Sequence, residues 1–153
     1  MGTWQGHLLV DDYGGYKALF STARQEASPC IELGCWAHAR RKFFDLHKAN
    51  AQLYGARGLD AYRSTVCAIE QQGKALDIEA RQQLRAEQSR PVLDALHQWL
   101  IQTRANGGGS AKAIDYTLKC WPAMIRYAEI GHLPIDNNPV ENTIRSIALG
   151  KKN

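Results

Sequence analysis

At 153 residues, with 44% hydrophobic and 22% charged side chains, the chain is long enough to build one core-forming domain and too apolar for a disordered tail. Its formal charge of +4 and pI near 8.9 admit an anionic partner but fall below a strongly basic nucleic-acid reader. No apolar run approaches the roughly 20 residues of a membrane span, and the Met1-Gly2-Thr3-Trp4-Gln5-Gly6 start lacks a secretory signal's charged, apolar and cleavage regions, so a soluble, cytoplasmic protein with no membrane partner is expected.

Residues 7–10 form a short apolar run ending in two aspartates, which predicts a buried strand whose carboxyl end presents an acidic group. A helix is expected over 15–24, with Tyr16, Leu19, Phe20 and Ala23 at helical spacing, ended by Ser28-Pro29. Residues 30–33 are a second short apolar segment, and Gly34 turns the chain into a helix over about 36–49. Trp36, Ala39, Phe43 and Leu46 make that helix's core stripe, while His38, Arg41, Lys42, Asp45 and Lys48 share a polar, mostly basic face.

From about 57 to 128 the pattern is helical, with stripes Leu59/Tyr62/Val66/Ile69, Val92/Leu93/Leu96/Trp99/Leu100 and Ile114/Leu118/Trp121/Ile125. Residues 77–90, rich in Glu, Gln, Arg and Ala, predict an exposed helix ended by Pro91, which can also open the next one. Asn106-Gly107-Gly108-Gly109-Ser110 is the clearest flexible break, and Pro122 should kink or split the third stripe's helix. The last helix is expected to take Asn138 as N-cap and Pro139 as its first residue, with Val140, Ile144 and Ile147 on its apolar stripe.

Two carboxylates stand out by context: Asp11 in Leu8-Leu9-Val10-Asp11-Asp12-Tyr13-Gly14-Gly15-Tyr16, and Glu141 in Ile135-Asp136-Asn137-Asn138-Pro139-Val140-Glu141. A two-metal nuclease needs carboxylates at the ends of rigid elements, because two Mg²⁺ ions about 3.5–4 Å apart must clamp the scissile phosphate. A strand end and a helix's first turn suit that geometry, but only a fold can bring the two together. Each also has a structural reading. Asn138 with Glu141 is a capping-box spacing, Glu141 and Arg145 are a favourable i,i+4 pair, and a turn-forming Asp after a strand is common.

These segments, with Gly34-Cys35-Trp36-Ala37-His38-Ala39-Arg40-Arg41-Lys42-Phe43 between them, resemble the catalytic region of IS66-type bacterial transposases, almost end to end. The resemblance implies an α/β fold: a partial ribonuclease H-like (retroviral-integrase-like) core with a large, mainly α-helical insertion. Residues 1–56 would be core, 57–130 the insertion and 131–153 a core segment with the last helix. It also implies an Asp, Asp, Glu triad holding Mg²⁺ (or Mn²⁺), whose second Asp maps to Asp11 and whose Glu maps to Glu141. The first Asp would lie upstream of Met1, so the chain is expected to be a fragment truncated at both ends, incomplete as a metal site and inactive alone. Asp12 stands where the family commonly has glycine, and Asn142 where arginine is usual. The ending Gly150-Lys151-Lys152-Asn153 is similar to the family's Gly-Arg-Lys-Asn stretch.

The implied activity is cleavage and strand transfer on DNA during transposition of an insertion sequence. The implied partners are element ends, target DNA, further copies of the chain on DNA and accessory proteins of the same element. His38, Arg40, Arg41, Lys42, Arg145, Lys151 and Lys152 would touch substrate or DNA. Other readings stay open. His38 and the basic cluster could be a solvated helix face, and the whole chain a non-catalytic helical module binding DNA or protein. Cys35 and His38 have the spacing of half a zinc site, with Cys30 as a third ligand, although no second cluster follows. The four cysteines otherwise lack disulfide-scaffold spacing and are expected to be thiols, mostly buried.

Overall fold

The computed structural model describes residues 5–12, 14–21, 29–49, 54–105 and 111–150, and within these the side chains of all but 46, 47, 49, 54–63 and 145–150. Two short apolar runs form strands β1 (Gly6–Val10) and β2 (Cys30–Gly34). They pair in parallel, in register from Gly6 opposite Cys30 to Val10 opposite Gly34. Parallel pairing brings both carboxyl ends to one edge, so Asp11 and Cys35 leave the sheet side by side. The segment between them departs from expectation. Gly14–Phe20 is a 3-10 helix without a buried residue, because two starting glycines and no packed face leave little to support α-helical bonding. Ser21 follows as a bend, and residues 22–24 of the expected helix lie outside the described residues, as does the Asn106–Ser110 break.

The helices follow as α1 (Trp36–Ala49), α2 (Tyr54–Gly73), α3 (Ile78–Leu84), α4 (Arg90–Ala105), α5 (Ala111–Ile125) and α6 (Asn138–Gly150). Asp77 caps α3, its Oδ1 accepting the Ala80 N–H at 2.8 Å. Leu33, Phe43, Val66, Leu93, Leu96, Leu100, Ile114 and Trp121 belong to one buried core, in which each fully buried leucine is worth about 1.5–3 kcal/mol. The molecule is thus mostly helical around a small parallel sheet. Among the described residues, no helix is long and apolar enough to cross a membrane.

Both prolines expected to interrupt helices are absorbed. A π-helical segment, Arg85–Ser89, joins α3 to α4, and the Arg90 N–H reaches back to the Arg85 carbonyl. The widened turn carries the chain past Pro91, which has no N–H to offer. Pro122 is exposed and lies inside an unbroken α5, close to where it tightens into a 3-10 turn, Arg126–Ala128.

The expectation that 77–90 is an exposed helix fails at two residues, since Arg85 is 2% and Ser89 0% exposed. Arg85 donates from Nε and Nη2 to both Glu70 oxygens, at 2.8 and 2.6 Å. Its Nη1 meets the carbonyls of Tyr127, Ile130, Gly131 and Leu133 at 2.8–3.3 Å. A buried charge survives only with such partners. This one fixes the loop that leads to α6. A Cβ on Gly131 would come within 1.9 Å of the Ile78 carbonyl oxygen, so the same loop lies directly on the start of α3.

Candidate active site

The Val10 carbonyl at the end of β1 accepts the Cys35 N–H at 3.2 Å. Beyond it Asp12 adopts φ 64, the left-handed conformation natural to glycine. That twist sends the adjacent aspartates to different partners. Asp12 binds Lys119 Nζ at 2.6 Å and lies 3.7 Å from Lys17 Nζ, and its hydrogen bond is the largest cause raising the Lys119 pKa. Asp11 Oδ2 lies 3.9 Å from His38 Nδ1, and its carbonyl accepts the Tyr116 hydroxyl at 3.1 Å. Burial, reinforced by nearby Cys120 and both aspartates, pushes the Tyr116 pKa upward, so the phenol stays a donor to Asp11.

One turn further along α1, Arg41 Nη2 lies 4.0 Å from Glu141 Oε2. His38 and Arg41 are i and i+3 on one helix face, and each has one of the two singled-out carboxylates beside it. The Lys42 ammonium sits 4.4 Å from the centroid of the Tyr116 ring, next to His38. Arg40 is elsewhere: it lines a cleft on the other flank of α1. The side chain of Arg145 and residues Lys151 and Lys152 lie outside the described residues.

The start of α6 explains why Glu141 is available. Its N–H bonds to the Asn137 carbonyl at 3.0 Å, so the helix begins at Asn138 itself and the cap position falls to Asn137, one residue before the expected cap. The Asn138 N–H is taken at 3.0 Å by Asp136 Oδ1, in place of the reciprocal capping by Glu141 that the spacing suggested. Asn137 Oδ1 in turn accepts the buried Cys35 thiol at 2.9 Å, and the Trp36 N–H reaches the Ile135 carbonyl at 3.3 Å. Cys35 therefore ties the strand that precedes Asp11 to the helix that carries Glu141. Sequence reasoning missed this joint. The sequence offers burial for Cys35, which holds, or half a zinc site with His38, and neither points to a partner 102 positions away.

Asp11 and Glu141 offer the hard oxygen donors that Mg²⁺ takes. Among the described residues no three His, Cys, Asp or Glu side chains gather as a metal site. The donor chemistry of these two carboxylates fits Mg²⁺, and among the described residues no third donor joins them. Among the described residues no zinc set gathers around Cys35 either.

The model of the IS66 transposase family matches residues 1–153. Three similar curated proteins come from Sinorhizobium fredii: uncharacterized protein y4hP is 35% identical over 97% of this chain, y4jD 32% over 100% and y4qI 33% over 98%. The aligned region is 29%, 30% and 29% of those proteins, so the chain spans about three tenths of the relatives' length. No solved structure matches.

Proposed function

We propose, on the premise that this chain belongs to the IS66 transposase family, that it carries two of the three carboxylates of a site for DNA strand cleavage and strand transfer. The observation that carries the reading is the bracketing of one face of α1, with Asp11 beside His38 at 3.9 Å and Glu141 beside Arg41 at 4.0 Å. Asp11 and Glu141 would hold Mg²⁺ or Mn²⁺. When bound, such an ion supplies charge neutralisation at the phosphate and a lowered pKa for coordinated water. His38 and Tyr116 orient Asp11 from its side chain and its carbonyl. Arg41 and Lys42 place positive charge where a phosphodiester would approach, and Arg145, Lys151 and Lys152, close to Glu141 along the chain, would be further contacts to DNA. The remaining carboxylate would come from a ribonuclease H-like core to which β1 and β2 contribute two strands. The assembled enzyme would act in the cytoplasm on element ends and target DNA, as an oligomer on DNA with accessory proteins of the same element.

Calorimetric titration with Mn²⁺ tests this reading. Binding by the wild type that both Asp11→Ala and Glu141→Ala abolish is expected, and binding that survives either substitution refutes a shared site. The rival reading, a non-catalytic helical module binding DNA or protein, draws on the two-donor count. It is favoured if the wild type takes up no Mn²⁺ yet binds DNA in a salt-sensitive way.

A further inference from the structure

On the flank of α1 that carries Ala37 and Arg40, a cleft of about 580 Å³ opens between α1, α2 and the 132–139 segment. That volume is within the roughly 300–1,000 Å³ of small-ligand sites. Trp36, Val66, Leu133 and Ile135 give it an apolar wall, and the Trp36 indole N–H is already spent on the Met124 carbonyl at 2.8 Å. Most of its charged groups are already held by partners within the protein. Glu70 is neutralised by the Arg85 fork at 2.8 and 2.6 Å, and Asp136 bonds to the backbone and side chain of Asn138. Arg81 bonds to the carbonyls of Gly73 and Leu76. Arg40 and Lys74, both exposed and lining the cleft, are not held in this way, and among the described residues neither has an acidic partner.

We propose that this cleft binds one unpaired nucleotide of a DNA strand, its base against the apolar wall and its phosphates at Arg40 and Lys74. A flat apolar body carrying anionic charge matches an apolar wall that includes the Trp36 indole, with the Arg40 and Lys74 cations beside it. The cleft's volume suits one base and not a duplex. Gln71, also in the lining, supplies an amide donor and acceptor for a base edge, and Asn138, whose Nδ2 donates to Asp136, adds its Oδ1 as an acceptor. The choice of DNA rests on the transposase reading, whereas the site itself is separate from Asp11 and Glu141. It would hold a strand beside the loop that leads into Glu141.

The test is fluorescence anisotropy with a chelator present, using a short labelled oligothymidine, the base-free deoxyribose phosphate of the same length, and a matched duplex. The single strand should bind on the order of tenfold tighter than the base-free chain and tighter than the duplex. Arg40→Ala and Lys74→Ala, both at exposed positions, should leave the thermal midpoint unchanged and each reduce the salt slope of single-strand binding by roughly 0.7. Equal affinity for the base-free chain would mean that the cleft reads phosphate alone, and equal duplex binding or unchanged salt slopes would place the contact elsewhere; each result overturns the proposal. Loss of this binding with Mn²⁺ uptake intact leaves the carboxylate site standing. The reverse outcome sinks only the carboxylate site.

Discussion

Replacing Arg85 with methionine keeps a long side chain in the core and removes the guanidinium. Two sets of partners are stranded: the Glu70 carboxylate, whose side chain is 17% exposed, and the carbonyls of Tyr127, Ile130, Gly131 and Leu133. Removing one member of a buried ion pair costs about 3–5 kcal/mol. Against a typical domain stability of about 5–15 kcal/mol, that is roughly a fifth or more of the total. At about 2–4 °C per kcal/mol for a chain of this size, the thermal midpoint should fall by roughly 6–20 °C. Urea denaturation followed by circular dichroism, with Glu70→Met and the double variant completing a cycle, measures the effect. The double variant should be more stable than Arg85→Met, because it no longer buries an unpaired carboxylate. A cost for Arg85→Met below about 1 kcal/mol, the range of exposed pairs, or a double variant no better than the single, would refute this account.

Cys35→Val removes the donor to Asn137 and should weaken Mn²⁺ binding while costing about 0.5–1.5 kcal/mol of stability; Cys35→Ser, which keeps a donor, should recover most of the affinity in the same calorimetric titration. Burial, the largest influence on this thiol, holds its pKa above the ordinary 9.0. The stability it contributes is therefore complete below that value and lost as pH rises through the higher folded value, which denaturant titrations on either side of the ordinary thiol pKa would detect. Asp12→Gly relaxes the left-handed backbone that Asp12→Ala would keep strained, and should melt higher than Asp12→Ala by the equivalent of about 1–2 kcal/mol; equal melting points would contradict the φ of 64. Gly131→Ala drives a Cβ to 1.9 Å from the Ile78 oxygen, and a loss of about 1–3 kcal/mol or more is expected in urea denaturation.

The features legible in the sequence are those set by neighbours along the chain. The strand runs that end at Val10 and Gly34, the helix from Trp36 to Ala49 and the core positions Ala39 and Phe43 follow from local pattern and turn residues. What escaped was set by distant partners. Arg85 sits in a stretch that reads as solvated, and only Glu70 and the carbonyls of a later loop make its burial tolerable. Pro91 is a helix breaker by local rules, yet a π turn just before it carries the helix through. At the candidate site, Asp11, Glu141, His38 and Arg41 were each singled out from sequence, and the pairing of Asp11 with His38 and Glu141 with Arg41 came from the fold. The basic run 40–42 is one cluster along the chain, of which helical periodicity puts Arg41 and Lys42 on the His38 face. Its helical spacing splits it, with Arg40 in the cleft, Arg41 at Glu141 and Lys42 on Tyr116.

Helix α5 has a consequence for the order in which the chain folds. Its Tyr116 hydroxyl holds the Asp11 carbonyl across 105 positions, its Lys119 holds Asp12 across 107, and the Met124 carbonyl holds Trp36 across 88. Just beyond its end, Arg126 bonds to the Glu32 carbonyl, and Gly34 leaves no room for a side chain against Met124. Two parallel strands have little stability of their own, and loops of this length must close before such contacts are rewarded. The helices are local structures that can form early, while the sheet edge bearing Asp11 becomes ordered only once α5 docks. Amide hydrogens of β1 and β2 should accordingly exchange together, and at the rate at which α5 detaches.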